Sequence, residues 1–409
     1  MSRPKLEVAD VFRAFGQPYR DEHAGHLSLQ QHKVMSAIEH CRTSVLGGHV
    51  LQCPECEHVQ VAYNSCRNRH CPKCQASSAK RWLEARQTEL LPVEYYHLVF
   101  SLPSELADLA YYNKDVMYGI LMKTAAKTLL TIAADKKHLG AQVGVTFVLH
   151  TWGSAMTHHP HVHGIVPGGG LSLDGKQWLS CKKGFFLPVR VLSRLFRRLY
   201  LARLSEAYQQ GKLHFFANTK TLADEHKFSA WLSKHRKIEW IVYAKRPFAG
   251  PDAVLRYLAR YTHRVAIANS RLVSMDNDGV SFRWKNYRVK AQCRQRVMHL
   301  EHDEFIRRFL LHVLPSGFHR IRHYGLVANA GRKRNLKQAR LLLHVPVVEP
   351  SIQEAVEVTK LDRTDPFICP KCHAPMVIIE LLVGINYPRA PPEKLINPVE
   401  IIALKKMTV

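Results

Sequence analysis

The stretch Thr157-His-His-Pro-His-Val-His-Gly164 decides how the chain is interpreted. Alternate side chains of an extended strand point to the same face, so His161 and His163 project together while Val162 packs into the opposite face. Two neutral imidazoles held on a rigid strand supply two ligands of a metal site. The pattern therefore predicts a strand that carries a divalent metal ion on one face.

The third ligand of this site has two candidates. His159 shares the strand and the face of His161, whereas His150 ends the preceding predicted strand and could lie opposite in a hairpin. An open site for Mg²⁺ or Mn²⁺, completed by water, suits phosphodiester chemistry. A zinc hydrolase that uses His159, His161 and His163 to activate water is the alternative that these residues alone leave open.

Strands and helices alternate around this stretch. Residues 1–45 are predicted to be helical, and the segment that follows, up to residue 76, is rich in Cys, His, Gly and Asn. From about residue 95, apolar periodicity predicts strands at 96–100, 143–150, 161–166 and 238–244, and helices at 115–136, 188–210, 251–263 and 301–314.

The charge of the chain indicates a polyanionic partner. Its 409 residues include 59 Lys and Arg against 33 Asp and Glu, which gives a net charge of +26, and 46% of them are hydrophobic, as in a folded globular protein. No run of about 18 apolar residues or signal-peptide pattern is found, so we expect a cytoplasmic protein that does not span a membrane. Nucleic acid is therefore favoured over a membrane surface as the partner.

Clustered cysteines indicate metal binding in a reducing compartment. Two CxxC motifs, Cys53-Pro-Glu-Cys56 and Cys71-Pro-Lys-Cys74, are separated by 14 residues, a spacing that predicts one structural Zn²⁺ held by Cys53, Cys56, Cys71 and Cys74. Cys66 and His70 could replace a ligand or help to form a second site. The pair Cys369 and Cys372 has no obvious second half in the sequence. Arg67 and Arg69 lie in the loop between the two motifs, where a contact with DNA is predicted.

Two tyrosines are predicted on one helical face. Tyr257 and Tyr261 are four residues apart, and Arg260 and Arg264 form a second pair with the same spacing. A phenolate can attack a phosphodiester and form a covalent phosphotyrosine, provided that a metal ion and arginines offset the charge of the transition state.

Taken together, these motifs resemble the HUH endonuclease superfamily, named for His-hydrophobe-His. Within it, the chain is similar to the two-tyrosine rolling-circle transposases of the insertion-sequence ninety-one family. The similarity rests on an ordered set of motifs: Cys41-Arg-Thr with Leu46-Gly-Gly-His49, Cys66-Arg-Asn-Arg-His-Cys-Pro-Lys-Cys74, Val99-Phe-Ser-Leu-Pro103, Leu149-His-Thr-Trp-Gly153, His159-Pro-His-Val-His163, Tyr257-Leu-Ala-Arg-Tyr261, Phe305-Ile-Arg-Arg-Phe-Leu-Leu-His-Val-Leu-Pro315 and Gly317-Phe-His-Arg-Ile-Arg-His-Tyr-Gly325.

The resemblance implies an α+β fold, with an HUH endonuclease-type antiparallel sheet backed by helices and a small N-terminal zinc-binding domain. The expected division is a helical and zinc-binding domain at 1–92, a catalytic domain at 93–330 and a basic C-terminal tail at 331–409. Gly164 is a departure from the family, in which other members often carry Cys at this position, and we expect little consequence from it.

The resemblance also implies a mechanism. His161 and His163 hold the divalent metal ion, and Tyr257 and Tyr261 each cut one strand of single-stranded DNA and store the bond as a 5′-phosphotyrosine. Trp284 and Tyr287, near the DNA-binding candidate Lys285, could stack on unpaired bases, whereas ordinary core packing is favoured for Trp152. Two other functions remain open: a relaxase or replication initiator with the same chemistry, and a zinc-ribbon regulator that binds DNA without cutting it.

Overall fold

The structure, a computed structural model, describes residues 6–245, 265–286, 295–345 and 367–385. Tyr257, Tyr261, Arg260, Arg264 and Tyr287 lie outside the described residues. The described helices are α1 (Val8–Glu22), α2 (Leu29–Glu39), α3 (Pro72–Gln87), α4 (Ala107–Tyr112), α5 (Lys114–Ala134), α6 (Val189–Gln209), α7 (Glu225–Lys237), α8 (His302–Leu311) and α9 (Arg332–Leu342). The described strands are β1 (Gly48–Gln52), β2 (Val59–Tyr63), β3 (Tyr95–Ser101), β4 (Ala141–Gln142), β5 (Gly144–Trp152), β6 (His158–Pro167), β7 (Gly169–Ser172), β8 (Trp178–Ser180), β9 (Val242–Lys245), β10 (Leu272–Met275), β11 (Val280–Lys285), β12 (Gln295–Leu300), β13 (Ile321–Gly325) and β14 (Val377–Leu382).

A five-stranded antiparallel sheet lies at the centre of the molecule, with strand order β13-β5-β6-β3-β9. Its two faces differ because side chains alternate along each strand. On one face, apolar residues such as Phe100, Phe147 and Val162 join the core formed with α4, α5 and α6. The opposite face carries His161 and His163, so the predicted partition of β6 into an imidazole face and an apolar face is confirmed. The antiparallel sheet with helices is the expected α+β architecture.

Helix α5 is the central helix of this core. Within the described residues, it is long and apolar enough to cross a membrane by length and composition, and 61% of its most apolar window is buried in the protein. Its buried side chains, which include Leu121 and Leu129, pack in the core beneath the sheet.

A second core joins the N-terminal helices to later parts of the chain. Phe12 of α1 contacts Phe309 of α8 with ring centroids 5.3 Å apart, and Phe282 of β11 contacts Phe305. Cys41 and Cys71 are buried in the same core. The N-terminal helices and the hairpin strands β10–β12 are therefore held together by shared apolar contacts.

The C-terminal strand belongs to the N-terminal sheet. β14 pairs with β1, from Gly48 opposite Leu382 to Gln52 opposite Val377, and β1 pairs in turn with β2. Helix α9 packs with Leu91 and Leu326 in a further small core. Backbone hydrogen bonds thus place residues 377–382 beside β1, whereas the division of the chain at residue 331 stays a prediction.

Candidate active site and metal centres

Three imidazoles converge on the face of the central sheet that lies opposite its apolar core face. The register places His150 of β5 directly opposite His161 of β6, and His163 lies two residues further along β6. One ring nitrogen from each of His150, His161 and His163 lies within 4.8 Å of the others. The hairpin predicted between the two strands is therefore formed, and His150 is the third member of the cluster.

Two hydrogen bonds orient the rings of this cluster. Nδ1 of His161 lies 2.7 Å from the backbone oxygen of His159, and Nδ1 of His163 lies 2.7 Å from Nε2 of His97 on β3. When each Nδ1–H donates, the lone pair of each ring lies on Nε2, and such a neutral imidazole is the form that binds a metal ion. The sequence analysis did not predict that His97 belongs to this site, although an imidazole in an otherwise apolar strand is a signal that could have indicated it.

His159 plays a different part from the one considered in the sequence. Its ring lies 5.1 Å from that of His161, but it is not one of the three convergent imidazoles, and its backbone oxygen is what orients His161. The alternation that puts His159 on the face of His161 also puts it beyond the cluster at the end of β6. The cross-strand pairing with β5 brings His150 closer.

Burial keeps these imidazoles neutral. Desolvation lowers the pKa of His161 to about 4, lowers the pKa of His163 well below its usual value, and lowers the pKa of His97 to about 4. A neutral imidazole has the lone pair that a metal ion needs. His161 and His163 can therefore bind a cation at neutral pH without releasing protons.

The histidines form the floor of a cavity of about 670 Å³. Trp152 and Trp284 line it together with the cations Arg271, Arg283 and Lys285. The described residues that line this cavity include no carboxylate, so its walls favour an anion. A site with cations and indole rings beside three convergent imidazoles fits a phosphate chain with unstacked bases.

One serine attaches the three-stranded sheet β10–β12 to the rim of this cavity. Ser154 Oγ accepts a hydrogen bond of 3.1 Å from the backbone nitrogen of Lys285 and donates to the Lys285 oxygen, and Arg271 donates to the Ser154 oxygen. Trp152 stacks on His150 with centroids 4.6 Å apart. Arg271 and Arg283 could not be identified as cavity residues from the sequence, because their position at the cavity depends on this long-range contact.

The predicted DNA contacts have different environments. Lys285 is exposed at the cavity, and Arg67 is exposed in the cysteine-rich loop. Arg69 instead donates hydrogen bonds to the backbone oxygens of Pro315 and Phe318, which attach this loop to the rest of the fold. Both terminal nitrogens of its guanidinium thus donate to the protein, and a contact between Arg69 and DNA stays a prediction.

Four buried cysteines form the first cysteine cluster: Cys41, Cys66, Cys71 and Cys74. The Sγ atoms of Cys41 and Cys66 each lie 3.6 Å from that of Cys74, close to the edge of about 3.8 Å that Zn–S bonds of about 2.3 Å give a tetrahedron. Hydrogen bonds from the other three thiols lower the pKa of Cys74. This geometry fits structural zinc, and His70 lies outside it because its Nε2 accepts a hydrogen bond from Leu314.

Four other cysteines form the second cysteine cluster: Cys53, Cys56, Cys369 and Cys372. The prediction that the motifs at 53–56 and 71–74 share one zinc ion is therefore wrong. The reason is the pairing of β1 with β14, which brings the distant C-terminal motif to the end of β1. All four predicted zinc ligands do belong to cysteine clusters. The motif at 53–56 is grouped with Cys369 and Cys372, and the motif at 71–74 is grouped with Cys41 and Cys66.

Two family models match this chain, one in its N-terminal part and one in its middle part. Residues 144–335 match a family described as "Putative transposase", and residues 11–102 match a family described as "Transposase zinc-binding domain". The second match contains the whole first cysteine cluster. It does not reach the C-terminal half of the second cluster.

Two curated proteins are similar over most of their length. The chain is 52% identical over 395 residues to the "Putative transposase y4qJ" of Sinorhizobium fredii, which covers 95% of this chain and 98% of that protein. It is 27% identical over 363 residues to the "Transposase for insertion sequence element IS801" of Pseudomonas savastanoi pv. phaseolicola, which covers 85% of this chain and 82% of that protein. No solved structure gives a significant match.

Proposed function

The chain belongs to the transposase family of insertion sequences of the IS91 and IS801 type, and from this premise we propose that it nicks and rejoins single-stranded DNA in rolling-circle-like transposition. The reaction proceeds through 5′-phosphotyrosine intermediates. The observation that carries the proposal is the floor of the cavity, where His150, His161 and His163 converge beneath cationic and indole side chains.

The histidine cluster fits a divalent metal ion. Imidazole nitrogen suits first-row transition metals, whereas Mg²⁺ prefers oxygen ligands, so the three-nitrogen set fits Mn²⁺ better than Mg²⁺. His150, His161 and His163 would hold the ion, with water in the remaining positions. When bound, the ion supplies positive charge that polarises the scissile phosphate.

Tyr257 and Tyr261 are the proposed nucleophiles. Two described neighbours of their segment support a position near the cavity. β9 ends at Lys245, which pairs with His97, and the chain after Val265 continues to Ser270 and Arg271 at the cavity wall. The described residues on the two sides of this segment thus lie beside the histidine face and at the wall of the cavity.

The chemistry balances with the residues of this chain. A tyrosine hydroxyl loses its proton as its oxygen attacks phosphorus in line, and the bond from phosphorus to the 3′ oxygen breaks. The 3′ oxygen takes up a proton and leaves as a free 3′-hydroxyl, so protons balance. The DNA remains attached as a 5′-phosphotyrosine. Attack of a 3′-hydroxyl on this linkage reverses the step and rejoins the strand. Two tyrosines allow one site to hold two strand ends at once.

Cationic side chains complete the proposed site. Arg271, Arg283 and Lys285 bind the phosphate backbone, and Trp152 and Trp284 stack on unpaired bases. Arg260 and Arg264 offset charge on the reacting phosphate, and Tyr287 and Arg67 extend the DNA contact. These roles follow from side-chain chemistry.

We assign the central sheet to the HUH type, because its middle strands carry the paired histidines. The zinc-binding domain then extends to residue 92 and includes residues 367–385, and the catalytic domain covers residues 93–330. The first cysteine cluster supports the proposal through its position, since it shares an apolar core with the hairpin strands that wall the cavity.

The test is formation of a covalent protein–DNA adduct. The purified protein is incubated with labelled single-stranded oligonucleotides from the ends of its element and Mn²⁺, and adducts are separated under denaturing conditions. The proposal expects an adduct with wild type and with the control Tyr63→Phe, an exposed phenol on β2. It expects none with Tyr257→Phe/Tyr261→Phe or after addition of EDTA.

Each other outcome identifies a different function. Cleavage without an adduct would indicate hydrolysis by water, and binding without cleavage would indicate a DNA-binding regulator. An adduct that persists in the double tyrosine variant would refute the assignment of the nucleophiles.

A further inference from the structure

We propose that the second cysteine cluster binds a second Zn²⁺, which joins the C-terminal segment 367–385 to the N-terminal β1–β2 hairpin. The site lies partly outside the matched zinc-binding domain, which ends at residue 102. Its ligands are Cys53 and Cys56, directly after β1, and Cys369 and Cys372, shortly before β14.

Sulfur positions support a single four-coordinate ion. Sγ of Cys53 lies 3.3 Å from that of Cys372, and Sγ of Cys56 lies 3.6 Å from that of Cys369. The four sulfurs lie within 4.8 Å of one another. Disulfides would instead bring sulfurs together in pairs at about 2.05 Å. Both close contacts join an N-terminal cysteine to a C-terminal one, so neither CxxC motif forms a site alone.

The two motifs have the same backbone geometry. The nitrogen of Cys53 donates to the oxygen of His58, and the nitrogen of Cys369 donates to the oxygen of Ala374, each five residues further on. The residues that follow the second cysteines, Glu57 and His373, have φ angles of +56° and +62°.

This duplicated turn places both cysteines of a motif on one side. A φ angle in the left-handed region is uncommon outside glycine, so its occurrence at the same position in both motifs points to a shared requirement. In the C-terminal motif, the nitrogen of Lys371 also donates to Sγ of Cys369 at 3.4 Å, as the nitrogen of Asn68 does to Cys66 in the first cluster. Such hydrogen bonds stabilise a thiolate that binds metal.

Apolar packing around the cluster is small. The local core consists of Leu51, Cys53, Cys369 and Met376 as its buried members, with Ala62 and Ala374 partly buried against it. Most side chains of β14 are exposed, including Val377 and Leu381. A unit with so little buried apolar area needs an added constraint, and structural zinc provides one by binding only the folded arrangement.

Metal content of the full-length protein tests this proposal. Binding forms four Zn–S bonds and releases the protons of the four thiols to solvent. Relative to wild type, Cys369→Ser/Cys372→Ser is expected to lose one zinc equivalent per chain by elemental analysis. The matched control is Cys181→Ser, since Cys181 belongs to neither cysteine cluster among the described residues, and it should lose none.

A coupled variant separates one shared site from two independent sites. Cys53→Ser/Cys56→Ser should lose the same single equivalent, and the variant that combines all four substitutions should lose no more than one. Loss of two equivalents in the combined variant, or none in Cys369→Ser/Cys372→Ser, would overturn the proposal.

Cobalt substitution measures metal binding by the second cysteine cluster, and proteolysis measures whether residues 367–385 remain attached. The thiolate-to-cobalt charge-transfer band of Co²⁺-loaded protein should fall by about half in either double variant, because the first cluster retains its four thiolates. Cleavage within residues 367–385 should become faster in the same variants. An unchanged band would contradict the site. These readouts need no DNA, so they stand apart from the test of strand cleavage.

Discussion

His97 is expected to set the metal affinity of the active site without touching the metal ion. Its Nε2 lies 2.7 Å from Nδ1 of His163, and its side chain is almost fully buried. The pKa of His97, lowered to about 4 by burial, keeps it neutral at pH 7, so its Nε2 can accept the Nδ1–H of His163. Removing this acceptor leaves a buried donor without its partner.

The size of the effect follows from that hydrogen bond. An unsatisfied buried donor costs about 1–3 kcal/mol, and loss of a partner that orients a metal ligand lowers metal affinity about 10–100-fold. The second range equals about 1.4–2.7 kcal/mol, so both estimates agree. We therefore expect His97→Phe, which retains a ring but no acceptor, to raise the dissociation constant for Mn²⁺ about 10–100-fold.

Direct titration of the DNA-free protein with Mn²⁺, followed by electron paramagnetic resonance of the free ion, measures this constant. His97→Gln provides an amide oxygen as acceptor and should recover part of the affinity. His299→Ala, at an exposed imidazole on β12, is the matched control and should bind as wild type does. In strand cleavage, His97→Phe should shift the Mn²⁺ midpoint and largely spare the rate at saturation. Wild-type Mn²⁺ affinity in His97→Phe would refute the reasoning.

Three further predictions follow from packing, burial and charge. A Cβ at position 164 would lie 2.6 Å from the Phe147 ring, so Gly164→Ala should lower the free energy of unfolding, measured in urea, by about 1–3 kcal/mol. Adding Phe147→Leu to Gly164→Ala should offset part of this loss. If the effects of the two substitutions are additive, the clash is contradicted. Unfolded histidines gain protons below about pH 6.5, whereas burial lowers the pKa of His158 to about 3 and that of His97 to about 4. The unfolded chain therefore binds more protons in this range, and the stability of metal-free protein should fall as pH decreases from about 6.5 to 4; a flat profile in urea denaturation would show that these imidazoles are accessible. Trp284→Ala should weaken single-stranded DNA binding by about 1–3 kcal/mol with an unchanged salt slope, whereas Lys285→Ala should reduce that slope by about one; fluorescence anisotropy at several salt concentrations distinguishes stacking from charge, and equal slopes in the two variants would contradict it.

Local pattern was sufficient to predict the histidine face of β6. Because the side-chain period of a strand is two, His161 and His163 had to share a face, and the structure confirms this. The sequence could not decide whether His150 or His159 is the third member of the histidine cluster, because this depends on which residue of β5 lies opposite His161. His97 was missed for the same reason: its strand was predicted, but its place beside β6 was not.

The spacing of the cysteines in the sequence predicted the wrong grouping of CxxC motifs into metal-binding clusters. Nearby CxxC motifs favour a local zinc loop, whereas the pairing of β1 with β14 gives Cys53 and Cys56 a partner from the far end of the chain. Cys41 has no CxxC spacing and was not assigned as a ligand. The expectation of little consequence from Gly164 stays a prediction, and the close approach of Phe147 on the next strand could not be read from the sequence.

The pairing of β1 with β14 also sets an order of events on the ribosome. β1 is made early, but its outer partner follows about 325 residues later. At about 5–20 residues per second, the nascent chain keeps this strand edge open for roughly 15–65 s. An unpaired edge can pair with a neighbouring chain, so translation speed and chaperone occupancy govern how much of the newly made protein reaches the native state.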